Sequence, residues 1–299
     1  MATDREQLEQ AIDEAVDDAA RYAVLGDWLA QTGDPRGELI ALQLDAGRKT
    51  KAKREREEAL LLTRGIRVAQ PQRAQWRWGF VHTLLFELVH FAQWEEHLDD
   101  WPQALLEPQL RHPSCRFLRA LVVDGSPGDR ALEYLSQQLP RHVGALTLIC
   151  NELDLARARG ALGRLTRLQV SAQLITPARL ALPGLRELAL PLDALSDAGL
   201  RLTLESLPAL EKLTLSSLGT IERAAVEALA VAPLTSLTLR AEQTSRGAID
   251  ALCDSPLRES LVSLDVSRSG LSEEAARRLL ARASAFAKLS DLVLGDAVE

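Results

Sequence analysis

The six-residue pattern Leu-x-x-Leu-x-Leu, with Val admitted at its apolar places, returns eight times in the last 182 of 299 residues. The copies are Leu118–Val123, Val143–Leu148, Leu165–Val170, Leu185–Leu190, Leu210–Leu215, Leu234–Leu239, Leu261–Val266 and Leu289–Leu294. Their starts lie 25, 22, 20, 25, 24, 27 and 28 residues apart. Apolar residues two apart mark a strand with one buried face. A recurrence every 20 to 28 residues leaves room for one strand and one return segment per copy. Such a unit cannot bury its apolar face alone, so the copies must stack into a solenoid with one continuous core. The pattern therefore predicts parallel strands side by side, their leucines inward.

The return segments read as helices in the second half. Ser196–Leu207, Glu222–Ala230, Ser245–Cys253 and Ser272–Ala285 carry helix-forming sequences, and Ser272-Glu273-Glu274-Ala275 puts a cap and acids in a first turn. Between Asn151 and Leu182 the connection is short and rich in Arg, which argues against a full helix there. The strand core and its period resemble the leucine-rich repeat, and the strand–helix alternation resembles its ribonuclease-inhibitor type. The fold class this implies is α/β: a leucine-rich repeat solenoid, a horseshoe with a parallel sheet on the concave face and helices on the convex face. The consensus repeat places Asn three positions after the last core residue. Asn151 obeys, while Ser126, Gln173, Asp193, Leu218, Glu242, Ser269 and Ala297 stand in its place, so the repeats are irregular.

Ahead of the repeats the pattern is helical. Leu8, Ile12 and Val16 recur at a spacing of four. Asp17 or Asp18 is suited to cap a second helix bearing Tyr22, Leu25, Trp28 and Leu29 on one face, ending at Gly33. Asp34-Pro35-Arg36-Gly37 is turn chemistry, and a third helix is expected from about Glu38 into the charged stretch Lys49–Glu58. The run Ala19–Leu44 resembles the bacterial repeat-companion domain, through Asp27-Trp28-Leu29, Gly33-Asp34-Pro35-Arg36-Gly37-Glu38 and Ile40-x-Leu42-Gln43. Tyr22-Ala23-Val24-Leu25-Gly26 departs from that family's usual approach to the tryptophan. The resemblance implies a short helical module at the head of a repeat array, and no activity.

Residues 74–110 carry Trp76, Trp78, Phe80, Phe86, Phe91, Trp94 and Trp101 in a chain only 4% aromatic. Within them Val81–Phe86 matches the repeat core with Phe in its last place, a degenerate first repeat. Bulky aromatics here suit the capping of an open solenoid end better than a binding pocket. The expected organisation is a helical module at 1–73, an aromatic capping region at 74–117 and the solenoid at 118–299.

The first twenty residues are acidic and hold neither a basic leader nor an apolar stretch, and nothing approaches a membrane span. Cys115, Cys150 and Cys253 are odd in number and far apart, which fits reduced thiols better than disulfides. Both features lead to the expectation of a cytoplasmic protein; a monomer is expected separately.

Strand alternation turns the residues between the leucines to the concave face. Three columns follow. The first includes Arg167, Glu187, Lys212 and Ser236; the second Gln169, Thr214, Thr238 and Asp265; the third Ser216, Arg240 and Ser267. Arg167, Gln169, Glu187, Lys212, Thr214, Thr238, Arg240 and Asp265 are the candidate contacts for a partner protein. Residues 74–299 carry a net charge of about −5, slightly favouring a basic partner.

Other chemistries find few residues. Histidines and cysteines offer no zinc-like pair of pairs, no Lys follows a Gly-rich phosphate loop, and no Gly-x-Ser-x-Gly elbow occurs. No catalytic set, metal or cofactor is expected. The basic run Arg48–Arg56, within a segment 47–73 of net +6, raises nucleic-acid binding as the alternative. Glu55, Glu57 and Glu58 interrupt it, which favours a solvated helix face or pairing with the acidic residues of 1–46. A self-associating scaffold, through the edge of the last repeat, is a further alternative. The leading expectation is a non-catalytic adaptor, regulator or stoichiometric inhibitor whose partner the sequence does not name.

Overall fold

The computed structural model describes residues 3–45, 47, 50–68, 73–88, 100–126 and 128–295. The chain is mixed α/β with mostly parallel strand pairing. It forms two compact units: Met1–Val122 with Pro140–Val143, and Val123–Leu139 with Gly144–Glu299.

In the first unit, local capping explains the helices. In α1 (Asp4–Glu14), Thr3 and Glu6 form a reciprocal capping box. Asp18 accepts from the Ala20 amide to start α2 (Ala19–Gln31), and Gly33, at φ +78°, closes the helix in the left-handed region. Contrary to the turn expected at Asp34–Gly37, α3 (Pro35–Leu44) begins there. Asp34 caps it and Pro35 takes the first helical place, where a missing N–H costs nothing. The single third helix expected through the charged stretch is also two helices. Asp45 accepts from the Gly47 amide, which turns the chain, and Thr50 accepts from Lys53 to start α4 (Lys51–Leu61). Ile12, Tyr22, Leu25, Leu29 and Ile40 pack with Phe80 and Phe117 into one cluster. Leu8, Val16, Trp28 and Trp78 border it.

The degenerate repeat lies in β2 (Phe80–Glu87), with Val81, Leu84 and Phe86 all buried. Its antiparallel partner β1 (Ala74–Arg77) was not foreseen. Trp78 and Gly79, at φ 51° and 79°, join the two strands in a two-residue turn of the kind that requires positive φ twice. Gly79 satisfies this freely; Trp78 does so against its side chain's preference, and its ring packs on Tyr22 with centroids 4.9 Å apart. Trp101 stacks on Phe86, and a short helical stretch then ends in α5 (Glu107–Leu110). Arg48, Lys49, His90, Phe91, Trp94, His97 and Ala297 lie outside the described residues.

Strand β3 (Ala120–Asp124) is divided between the two units. The second unit adds α6 (Gly128–Gln138), an unforeseen helix with Ala131, Leu132 and Leu135 buried. Its later elements are β4 (Ala145–Ile149), β5 (Glu152–Asp154), β6 (Arg167–Ser171), β7 (Leu174–Thr176), β8 (Glu187–Pro191), α7 (Asp197–Leu204), β9 (Lys212–Ser216), β10 (Thr220–Ile221), α8 (Arg223–Leu229), β11 (Ser236–Arg240), β12 (Gln243–Thr244), α9 (Arg246–Asp254), β13 (Ser263–Arg268), α10 (Glu273–Arg282) and β14 (Asp291–Val293). As expected, 151–182 holds only short 3₁₀ turns and strands. Ser196, Ser245 and Ser272 cap α7, α9 and α10, each accepting from the amide three residues on.

The strands run β4-β6-β8-β9-β11-β13-β14, every pair parallel. One row in register is Leu146, Leu168, Leu188, Leu213, Leu237, Leu264 and Leu292. The first six are at most 2% exposed, so identical side chains stack layer on layer away from water. Each such burial is worth roughly 1.5–3 kcal/mol. Only the edge position, Leu292, is half-buried. Small parallel ladders, β5 with β7 and β10 with β12, tie the return segments together.

Candidate functional site

Every second residue of these strands faces away from the leucine core, and the register sets those residues in rows. Ala145, Arg167, Glu187, Lys212, Ser236, Ser263 and Asp291 form the first, on seven successive strands. Thr147, Gln169, Ala189, Thr214, Thr238, Asp265 and Val293 form the second. All eight candidate residues are exposed or half-buried.

Their charges are not equally available. The Glu187 carboxylate accepts from the Arg167 Nε on one side and the Lys212 Nζ, at 3.1 Å, on the other. The Arg167 hydrogen bond foremost, then that of Lys212, holds the Glu187 carboxyl below the usual range while partial burial opposes them. Asp265 turns its Oδ1 onto its own strand, where it accepts from the Ser267 amide at 2.9 Å and the Ser267 hydroxyl at 2.6 Å. Gln169, Thr214 and Thr238 keep the middle of the face polar and uncharged. Arg240 remains exposed, with no ion pair among the described residues.

The third column departs from expectation. Arg240 lies opposite Ser216 as foreseen, but its partner on β13 is Arg268 and not Ser267. The register slips by one residue between Thr238 and Arg240. The bonds from Ser267 to Asp265 draw that residue out of the ladder, which is how a bulge re-aims the next side chain. Sequence reasoning missed Arg268 because a bulge leaves no mark in the spacing of the leucines.

Side chains three places after the last core residue of the recurring pattern bond the backbone of the following copy. Ser126 accepts from the Asn151 amide, and Asp193 accepts from the Leu218 amide, each across 25 residues. A polar side chain in one repeat thus satisfies the turning backbone of the next. Leu218 has no such acceptor to offer and stands 85% exposed.

In the basic run, Arg56 makes two bonds of 2.6 Å to Glu38, Lys53 pairs with Asp45, and Lys51 lies 3.7 Å from Glu55. Helix α4 therefore spends three of its cations on acids of this unit and of its own turn. Cys115 and Cys253 are buried and Cys150 half-buried, all three free. Burial pushes Cys115 up to about 12 and Cys150 up to about 11, so these thiols stay protonated near neutrality. Among the described residues, no three His, Cys, Asp or Glu side chains gather as a metal site. No described helix is long and apolar enough to cross a membrane.

A scan against protein-family models finds no match to the chain, and a search of curated proteins finds no relative.

Proposed function

We propose that the chain is a non-catalytic recognition protein, an adaptor, regulator or stoichiometric inhibitor acting in the cytoplasm as a monomer. In this reading the second unit is a leucine-rich repeat solenoid of the ribonuclease-inhibitor type, headed by a repeat-companion module. It holds a partner protein on the concave face of its sheet. The observation that carries the proposal is the unbroken register of the leucine row over seven strands. A core that rigid fixes the facing rows, so a partner meets them with little ordering cost. Gln169, Thr214 and Thr238 supply neutral hydrogen-bonding groups along the centre, flanked by Arg167, Glu187, Lys212, Arg240 and Asp265.

Nucleic-acid binding through α4 is the weaker reading, because Lys51, Lys53 and Arg56 already have acidic partners. The test is a pull-down from host lysate with wild type beside Arg167→Glu/Lys212→Glu/Arg240→Glu. A protein held by wild type and lost by the variant supports the face. A prey held equally by both refutes it.

A further inference from the structure

We propose that the partner is engaged first at the rim where β9, β11 and β13 end, and that it presents an acidic segment bearing an aliphatic side chain. This rests on the recognition reading above and adds the chemistry of what is recognised.

Two observations meet at this rim. The first is charge. Arg240 and Arg268 are brought side by side by the bulge, both exposed, and neither has an ion pair among the described residues. The cations of the first row differ, since Arg167 and Lys212 share Glu187 between them. Asp265 turns its carboxylate onto Ser267 of its own strand and makes no ion pair among the described residues. Two arginines in register on adjacent strands, neither in an ion pair, can both meet one incoming anion. Arg240 and Arg268 are thus cations at this end of the sheet that stand outside any ion pair among the described residues, although the average over 74–299 is negative.

The second observation is Leu218, the most exposed large apolar side chain in the described chain. Its turn is fixed and not loose. The Leu218 amide and the Ser217 hydroxyl both donate to Asp193, and the Gly219 amide donates to the Ser217 hydroxyl at 3.0 Å. The Ser217 amide in turn donates to the carbonyl of Arg240. An apolar side chain displayed on a hydrogen-bonded turn loses little freedom on docking, which is what an anchor needs. Leu174 and Ile149, on earlier strands, are also 55% and 36% exposed. Arginines also suit phosphates, but Ser216, Ser217 and Leu218, which follow one another next to Arg240, give bases no ring to stack on. Charge and apolar complementarity together select an acidic, Leu- or Ile-containing protein segment.

The test is selection of a random twelve-residue peptide library on the full chain. The baits are wild type, Arg240→Glu/Arg268→Glu, Leu218→Ser and Arg167→Ala/Lys212→Ala. All these positions are exposed, and a thermal melt of each bait checks that it is folded. The expected peptides are acidic and carry a Leu, Ile or Val. They bind about tenfold or more weakly to the first two variants, a larger loss than on the Arg167/Lys212 variant. Enrichment of basic or uncharged peptides, or equal binding to the Arg240/Arg268 variant, overturns the rim. Peptides lost only on the Arg167/Lys212 variant also overturn it while leaving recognition by the sheet face standing. Failure of any bait to enrich peptides tells against both.

Discussion

Replacing Leu213 by Ala tests whether the stacked row is the core that holds the second unit together. Leu213 is 1% exposed and lies in register between Leu188 and Leu237, with apolar neighbours in the layer on either side. Removing about three methylene equivalents at about 0.8 kcal/mol each forfeits about 2.4 kcal/mol of transfer energy. The neighbours are fixed by their own strands and collapse poorly, so the cavity raises the cost to about 3–4 kcal/mol. Leu292, on the edge strand and half-buried, is already reached by water, and its replacement costs only about 1 kcal/mol. Urea unfolding followed by far-ultraviolet circular dichroism reads the difference. At a slope of about 2–3 kcal/mol per M, Leu213→Ala lowers the midpoint by about 1–2 M, and Leu292→Ala by well under half of that. Equal shifts, or a larger one for Leu292→Ala, would refute a core that is continuous through β9 and ends at β14.

Three further predictions concern single groups. Gly270 has φ +55°, and a Cβ there would sit 1.7 Å from the Glu242 carbonyl oxygen, whereas Gly33 at φ +78° faces open space. Gly270→Ala is expected to cost about 3 kcal/mol and Gly33→Ala about 1, compared by thermal melting. Arg36, buried against Phe80, donates from Nη2 to the Gly65 carbonyl at 2.9 Å and the Ser114 hydroxyl at 3.2 Å. Arg36→Met should destabilise by about 1–3 kcal/mol, while exposed Arg64→Ala stays within about 0.5 in the same urea titration. Burial raises the Cys115 thiol from its usual 9.0 to about 12, so the folded state favours its protonated form. That contribution is complete below pH 9 and is lost as pH climbs towards 12. Stability should fall as pH rises from 9 to about 10.5, and fall less in Cys115→Ala; an identical fall in both would show the thiol is not responsible.

The leucine rows were legible because a buried strand face needs one residue type at every second place, and stacking demands the same places in each copy. Asp18, one of two candidates with Asp17, and Ser272 were legible as caps because a cap is a local bond. The features missed depend on partners far along the chain or on rare backbone states. The hairpin at Trp78-Gly79 places a tryptophan at positive φ, against its propensity. The helix at Gly128–Gln138 lacks an acidic first-turn signature as strong as that of Ser272–Ala275, and it passed as a connection. The division at Asp45–Thr50 rests on an Asx turn that helical periodicity does not register. At the candidate face, the sequence named the residues in each row. It did not reveal that Glu187 is ion-paired to both of its neighbours, because that pairing joins residues 20 and 25 places apart. Nor did it reveal Arg268 beside Arg240.

The central claim is that the exposed rows of the sheet are where a partner sits. A photo-cross-linking residue placed at Thr214, in the middle of the second row, tests it in the living host against the same residue at Arg277 on α10, which is exposed and paired with Glu273 of its own helix. The account predicts one discrete adduct from Thr214 and none from Arg277. An adduct from Arg277 with none from Thr214 would contradict it.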